Sequence, residues 1–172
     1  LYSQAEENYS QALELSKKCF GTQHPYVAIA LNNLANTYKN QGRYTDAENM
    51  HLTALTMRKN LFRDEHLEVA QSLSNLGDIY LLQGRYVEAE QVYVEAYFIR
   101  KSSLTPKHPD IALSLHNLAL LYAYQGRYQA AEEKYLDRNI LTLQIVSIEL
   151  QKFIVCKGGI SKPKRFILKG IC

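Results

Sequence analysis

The four residues "QGRY" occur three times in this chain, at residues 41–44, 83–86 and 125–128. Both intervals are 42 residues, so the chain repeats with a fixed period. Repetition at a period of 20–50 residues is typical of solenoids, in which each unit buries its apolar face against its neighbours. The stretch therefore decides the fold class, provided that the rest of each period is repeated as well.

The similarity does extend over the whole period. Residues 24–65 and 66–107 agree at 16 of 42 positions, and a third copy begins at residue 108 with "HPDIALSLHNLALLYAYQGRY". Residues 1–23 match the second half of a unit, and the third copy stops matching after Tyr135. We therefore expect the second helix of a truncated preceding repeat (1–23), repeat 1 (24–65), repeat 2 (66–107), repeat 3 with a degenerate second helix (108–139) and a divergent tail (140–172).

Each unit is predicted to form two helices joined by the "QGRY" turn. Apolar residues of the first copy follow the spacing of one helical face: Leu31, Leu34, Ala35 and Tyr38. Gly42 is predicted to end this helix, because glycine accepts the left-handed conformation of a helix C-terminus. The second helix is predicted to begin near Thr45, with Tyr44 packing under its start. Stacked pairs share a core, so we expect an all-α, right-handed solenoid of helical hairpins.

Several positions of the repeat carry a family signature. They are Leu34, Ala35, Tyr38, Gly42, Tyr44, Ala47 and Ala54. Together with the 42-residue period, the "LNNLA" run, the "HP" start and the "IRK" ending, they resemble the kinesin light chain type of the tetratricopeptide repeat family. The resemblance covers residues 5–135. His51 departs from it, since copies two and three have Tyr93 and Tyr135 there, and Arg138 stands where the family has a small residue.

No residue pattern points to catalysis. The sequence has no glycine-rich phosphate loop after a strand and no arguable nucleophile–base pair, so we expect no enzyme activity, no cofactor and no small-molecule substrate. Cys19, Cys156 and Cys172 lack metal or disulfide spacing, which favours a reducing compartment and a cytoplasmic location. The chain starts at Leu1 without a methionine, so we expect it to be a fragment.

One histidine recurs in each repeat: His24, His66 and His108. Packed helices lie about 8–10 Å apart, and two helices separate equivalent positions. A metal ion needs its ligands within about 2 Å, so these three side chains cannot share one. We predict that they act at the helix starts, as caps.

A polar stripe opposite the predicted core is the candidate binding site. Asn33, Asn75 and Asn117 recur in it although asparagine is a poor helix former. They could form a structural hydrogen bond between repeats, or a ladder of amides for the backbone of an extended peptide. The resemblance implies the second role, because the first helices of such repeats line a concave peptide groove. The candidate groove residues are Asn33, Asn36, Lys39, Asn40, Ser74, Asn75, Asp78, His116, Asn117, Leu120 and Tyr124.

The stripe also suggests a ligand. Lys39 would favour an acidic ligand residue, whereas Leu113, Leu120 and Tyr124 would favour an apolar or aromatic one at the other end. We therefore expect a protein or peptide partner. The same repeats could instead form a regulatory domain of a larger enzyme or signalling protein.

The tail differs in charge from the repeats. Residues 1–135 carry 13 Lys/Arg and 15 Asp/Glu, whereas residues 136–172 carry 7 and 2. Basic residues near Phe153 and Phe166 could grip single-stranded nucleic acid, although the acidic repeats and the short tail disfavour this. Residues 140–155 are predicted to continue the last helix as a cap; they are too short and too charged to span a membrane, while a membrane-surface or partner-helix role is the alternative. Residues 157–172 are predicted to be flexible.

Overall fold

A computed structural model describes residues 2–136, with side chains described for residues 4–134. This part of the chain forms seven helices and no strand: α1 (Tyr2–Phe20), α2 (Pro25–Asn40), α3 (Tyr44–Phe62), α4 (Leu67–Leu82), α5 (Tyr86–Ser103), α6 (Pro109–Tyr124) and α7 (Tyr128–Leu136). Each helix packs against the next one in the chain, and α4 also contacts α6. The predicted all-α solenoid of helical hairpins is confirmed.

The recurring histidines cap the first helix of each repeat. The Nδ1 atoms of His24, His66 and His108 accept a hydrogen bond from the backbone N–H two residues further on, at 3.2, 3.1 and 3.1 Å. Such a bond satisfies one of the four N–H groups that a helix start leaves without a partner. In two repeats a ring also stacks on the histidine, with centroids 4.7 Å apart for Phe20–His24 and 4.5 Å for Phe62–His66. The predicted capping role is confirmed.

The glycines of "QGRY" end the first helices as predicted. Gly42, Gly84 and Gly126 have φ angles of +76°, +74° and +74°. The N–H of the following arginine donates to a carbonyl five residues earlier, at 2.9 Å in the pair Arg43–Tyr38. This is the six-residue closure of a left-handed helix end. The next helix starts at Tyr44, one residue before the predicted position.

Small residues allow the helices of a hairpin to approach closely. Ala47, Ala54 and Ala89 are completely buried. A Cβ placed on Gly77 would lie 2.5 Å from the ring of Tyr93, so glycine makes room for this ring between α4 and α5. The core is therefore continuous from repeat to repeat, which is the condition for a rigid platform under the exposed stripe.

The predicted cap at residues 140–155 and the predicted flexible end at 157–172 lie outside the described residues. Of the helices within the described range, none combines the length and the apolar character that a bilayer crossing requires.

Candidate peptide-binding groove

The three first helices, α2, α4 and α6, present polar and apolar side chains in the same register. We call this surface the groove face and define it by the exposed or half-buried residues Asn33, Asn36, Asn40, Asn75, Asp78, Leu82, Asn117, Leu120 and Tyr124. Neighbouring members on one helix are three or four residues apart, so they lie on one side of it. The surface changes from amides on α2 to apolar groups on α6.

The three recurring asparagines do not hold neighbouring repeats together. The Asn75 Oδ1 accepts a hydrogen bond from Gln71 Nε2 at 2.9 Å, within the same helix. The side-chain amides of Asn33 and Asn117 form no hydrogen bond with any residue in the described range. The structural explanation of the ladder therefore gains no support from this part of the chain.

Three of the predicted residues meet at one depression of about 320 Å³ between α1 and α2. Its walls are Ala5, Tyr9, Asn33, Asn36, Thr37 and Asn40. Amide groups thus form one wall, and the ring of Tyr9, which is 38% exposed, belongs to the opposite helix. The depression combines hydrogen-bonding groups with an apolar surface, as a peptide site requires.

Lys39 and Asp78 form an ion pair between repeats 1 and 2. The Lys39 Nζ lies 3.5 Å from the Asp78 Oδ2, and the Tyr93 hydroxyl donates to the other carboxylate oxygen at 2.8 Å. Burial, and then the Asp78 charge, raise the pKa of Tyr93, so this hydroxyl stays a donor. The charge of Lys39 is therefore balanced within the groove face, which weakens the expected preference for an acidic ligand residue.

Two polar residues of the predicted stripe face inward instead. Ser74, a candidate groove residue, is buried, and its hydroxyl accepts from the Arg100 Nη1 at 2.8 Å. Asn32 is buried as well, with its Oδ1 2.8 Å from the Nδ1 of His51. Each stands one residue before a ladder asparagine, and one step around a helix is about 100°, enough to turn a side chain towards the second helix. His116 shares this register and is half-buried.

Buried arginines link each second helix to the following repeat, and sequence reasoning missed them. Arg58 donates to the Ser72 hydroxyl at 2.8 Å and pairs with Glu68 at 2.8 Å. Arg100 donates to the Ser114 hydroxyl at 2.8 Å and forms no ion pair within the described range. Burial lowers the pKa of both guanidinium groups. The available signal was the 42-residue spacing of each arginine and of each serine.

The arginine of "QGRY" has a second function that the sequence analysis also missed. The Arg43 Nη1 donates to Glu6 of the preceding helix at 3.0 Å, and Gln41 Nε2 donates to the same carboxylate at 2.9 Å. The Arg43 guanidinium also lies over the ring of Tyr38, 4.2 Å from its centroid. Hydrogen bonds from Gln41 and then Arg43 lower the pKa of Glu6. We call this arrangement of glutamate, glutamine, arginine and tyrosine the repeat clamp.

The repeat clamp recurs at each junction. In the next copy Gln83 and Arg85 hold Glu48, at 2.9 and 2.8 Å. In the last, Arg127 donates to Glu90 at 3.3 Å and the Tyr122 hydroxyl donates to it at 3.0 Å. The glutamates are 42 residues apart, which is the signal that could have revealed them. "QGRY" is thus both a turn and a joint between repeats.

Comparison with known proteins agrees with this geometry. The family profile described as Tetratricopeptide repeat matches residues 1–60, 26–102 and 68–137. No curated protein matches significantly. BtubC (BKLC) from P. vanneervenii has a similar solved structure, with a TM-score of 0.70 and 24% identity over 99% of this chain. This chain spans 64% of the length of BtubC.

Two further solved structures come from Podosopora anserina and concern a kinesin light chain with nearly identical TPR-like repeats. They give TM-scores of 0.75 and 0.76, the second for a single-substitution variant, at 22% identity over 91% of this chain and 79% of theirs. At such identity the likeness concerns the fold alone. Since the family profile matches three overlapping segments that together run from residue 1 to residue 137, the chain belongs to the tetratricopeptide repeat family.

Proposed function

We propose that the groove face binds an extended segment of a partner protein. Tetratricopeptide repeats are generally protein-interaction modules. The observation that carries the proposal is that the amides of Asn33 and Asn117 are engaged by no described residue. An amide side chain offers two donors and an acceptor, which match the N–H and C=O groups of a peptide backbone. Such contacts bind an extended peptide without requiring a particular side chain.

The apolar end of the groove face adds specificity. On α6, Leu113 is 46% exposed and Tyr124 is 37% exposed, and Leu120 is half-buried between them in the stripe. A bulky apolar or aromatic ligand residue would cover these groups and remove their surface from water. At the α2 end, by contrast, amides dominate.

The ion pair at the centre of the groove face modifies the expected ligand. Because Lys39 already faces Asp78 at 3.5 Å, an acidic ligand residue gains only what it takes from this pair. We therefore propose a ligand with a neutral polar segment on α2 and a bulky apolar residue on α6. The similarity to kinesin light chain-type structures supports a role in partner binding and leaves the partner to be identified.

The test uses a library of random twelve-residue peptides as the probe, selected on the wild-type chain. For a selected peptide, Asn33→Ala and Asn117→Ala should each weaken binding about three- to tenfold, the loss expected for one neutral hydrogen bond. Asn49→Ala, an exposed change on α3, is the matched control and should leave affinity unchanged. Folded Asn33 and Asn117 variants that bind as tightly as the wild type would overturn the proposal.

A further inference from the structure

The last described helix carries one half of a repeat clamp. The clamp glutamates are Glu6, Glu48 and Glu90, and the next position at this spacing is Glu132 on α7. Glu132 is exposed and pairs with no residue of the described range. The sequence has no further "QGRY" after residue 128 that could fill it. The helix α7 therefore presents an acceptor for a glutamine and an arginine held in a Gln-Gly-Arg turn.

The first and last described helices share a segment. Residues 5–9 read "AEENY" and residues 131–135 read "AEEKY", which are 126 residues apart, or three periods. In α1 this segment supplies Glu6 to the clamp, and Ala5 and Tyr9 to the depression beside α2. The helix α7 thus carries the residue types by which α1 is seated on α2.

The seat of α1 lies at the end of the array. The principal packing partner of α1 is α2, whereas α3 and α5 each pack between two helices. The depression beside α1 also leaves one side of α2 uncovered, along Asn36, Thr37 and Asn40. In the interior of the array a first helix has a neighbour on this side, as α6 has α4.

We propose that the chain associates head to tail with a second copy of itself. The helix α7 of one copy takes the place of α1 on α2 of the next, and Glu132 accepts the hydrogen bonds of Gln41 and Arg43 of the second copy. The exchange replaces the contacts of α1 with equivalent ones, as in domain swapping. It adds a contact between α6 of one copy and the uncovered side of α2 of the other. The interface is heterologous and does not close, so chains of copies form at high concentration.

Sedimentation velocity of the full chain over a range of concentrations tests the proposal. The wild type should show a rising weight-average mass. Glu132→Arg places a cation opposite Arg43 and should weaken self-association at least tenfold, to about the limit of detection. Glu133→Arg is the matched control, since Glu133 is an exposed neighbour with the same charge and lies outside the clamp register. Its self-association should equal that of the wild type.

A charge exchange makes the test specific for this pair. Glu132→Arg and Arg43→Glu should each be monomeric alone, because each brings like charges together. Mixing the two variants restores opposite charges at the junction between them and should restore the higher mass. Circular dichroism confirms that each variant is folded; if Arg43→Glu does not fold, the comparison of Glu132→Arg with Glu133→Arg decides. A wild type that stays monomeric at all concentrations, or equal effects of the two α7 substitutions, would overturn the proposal.

Discussion

Arg85 joins carboxylates of two different repeats. Its Nη1 lies 2.8 and 2.9 Å from the two carboxylate oxygens of Glu48, and its Nε donates to Glu88 at 3.0 Å. Its guanidinium lies 4.2 Å from the ring centroid of Tyr80. Hydrogen bonds to Glu48 and then Glu88 raise the pKa of Arg85, and the bond from Arg85 is the main cause of the lowered pKa of Glu88. One side chain thus connects α3, α4 and α5.

We expect the loss of this joint to destabilise the array. Arg85→Ala removes charge-assisted hydrogen bonds to two helices together with the contact on Tyr80, so it should lower the midpoint of urea unfolding. Arg85→Lys should recover less than half of this loss, because an ammonium lacks the planar fork and stacks poorly. Lys107→Ala, at an exposed lysine, is the control and should leave the midpoint nearly unchanged. A similar loss in the control would mean that the clamp is not special.

The contact of Gly77 with Tyr93 predicts a compensating pair of substitutions. Gly77→Ala would place a methyl group 2.5 Å from the Tyr93 ring, and overpacking of this kind costs about 1–3 kcal/mol. Repeat 1 has Ala35 and His51 at the equivalent positions. Adding Tyr93→His to Gly77→Ala should therefore cost less than the sum of the two single changes. A double-mutant cycle by thermal unfolding measures the difference, and strict additivity would contradict the steric explanation.

His51 makes stability depend on pH. Burial, followed by the charges of Lys39 and Arg58, lowers the pKa of His51 to about 4, from an ordinary value near 6.5. The folded state therefore binds this proton less readily than the unfolded state. Stability is full above about pH 6.5 and falls as the pH drops towards 4, by at most about 3 kcal/mol. His51→Gln should flatten the slope between pH 7 and pH 5, where few carboxylates titrate; an unchanged slope would assign the acid sensitivity to other groups.

Arg63 has a backbone conformation that glycine adopts more easily. Its φ is +70°, and Gly21 has a φ of +82° at the equivalent place of the preceding unit. A side chain in this region costs about 1–2 kcal/mol, while glycine costs up to about 1 kcal/mol more entropy on folding. Arg63→Gly should thus leave stability unchanged or raise it by about 1 kcal/mol, and Gly21→Ala should lower it. Differential scanning calorimetry distinguishes these signs, and destabilisation by Arg63→Gly would show that the side chain itself is needed.

The sequence predicted those features that depend on local periodicity. The glycine-terminated first helices and the histidine caps follow from residue type and spacing, so Gly42 and His24 could be interpreted without coordinates. The inward turn of Ser74 and Asn32 could not, because it depends on Arg100 and His51, which approach from another helix. The balance of Lys39 by Asp78 likewise depends on how closely two repeats stack.

The asparagine ladder was found because it repeats, and the clamp was missed although it repeats too. A recurring glutamate on a helix surface is ordinary, whereas a recurring asparagine contradicts helix propensity and attracts notice. The partners of Glu6 lie 35 and 37 residues further along the chain. Such a separation has no meaning until the hairpin geometry is known, so only the structure connects Glu48 with Arg85.

Each clamp spans a joint between two hairpins, so it also acts on the curvature of the whole superhelix. Bending the array open or closed must lengthen or shorten the link between Glu48 and Arg85, and its equivalents on either side. The clamps are partly exposed, and salt screens exposed charges within about 10 Å at 0.1 M. The solenoid therefore behaves as a spring whose stiffness falls with ionic strength, and the width available to a ligand becomes a property of the solution as well as of the chain.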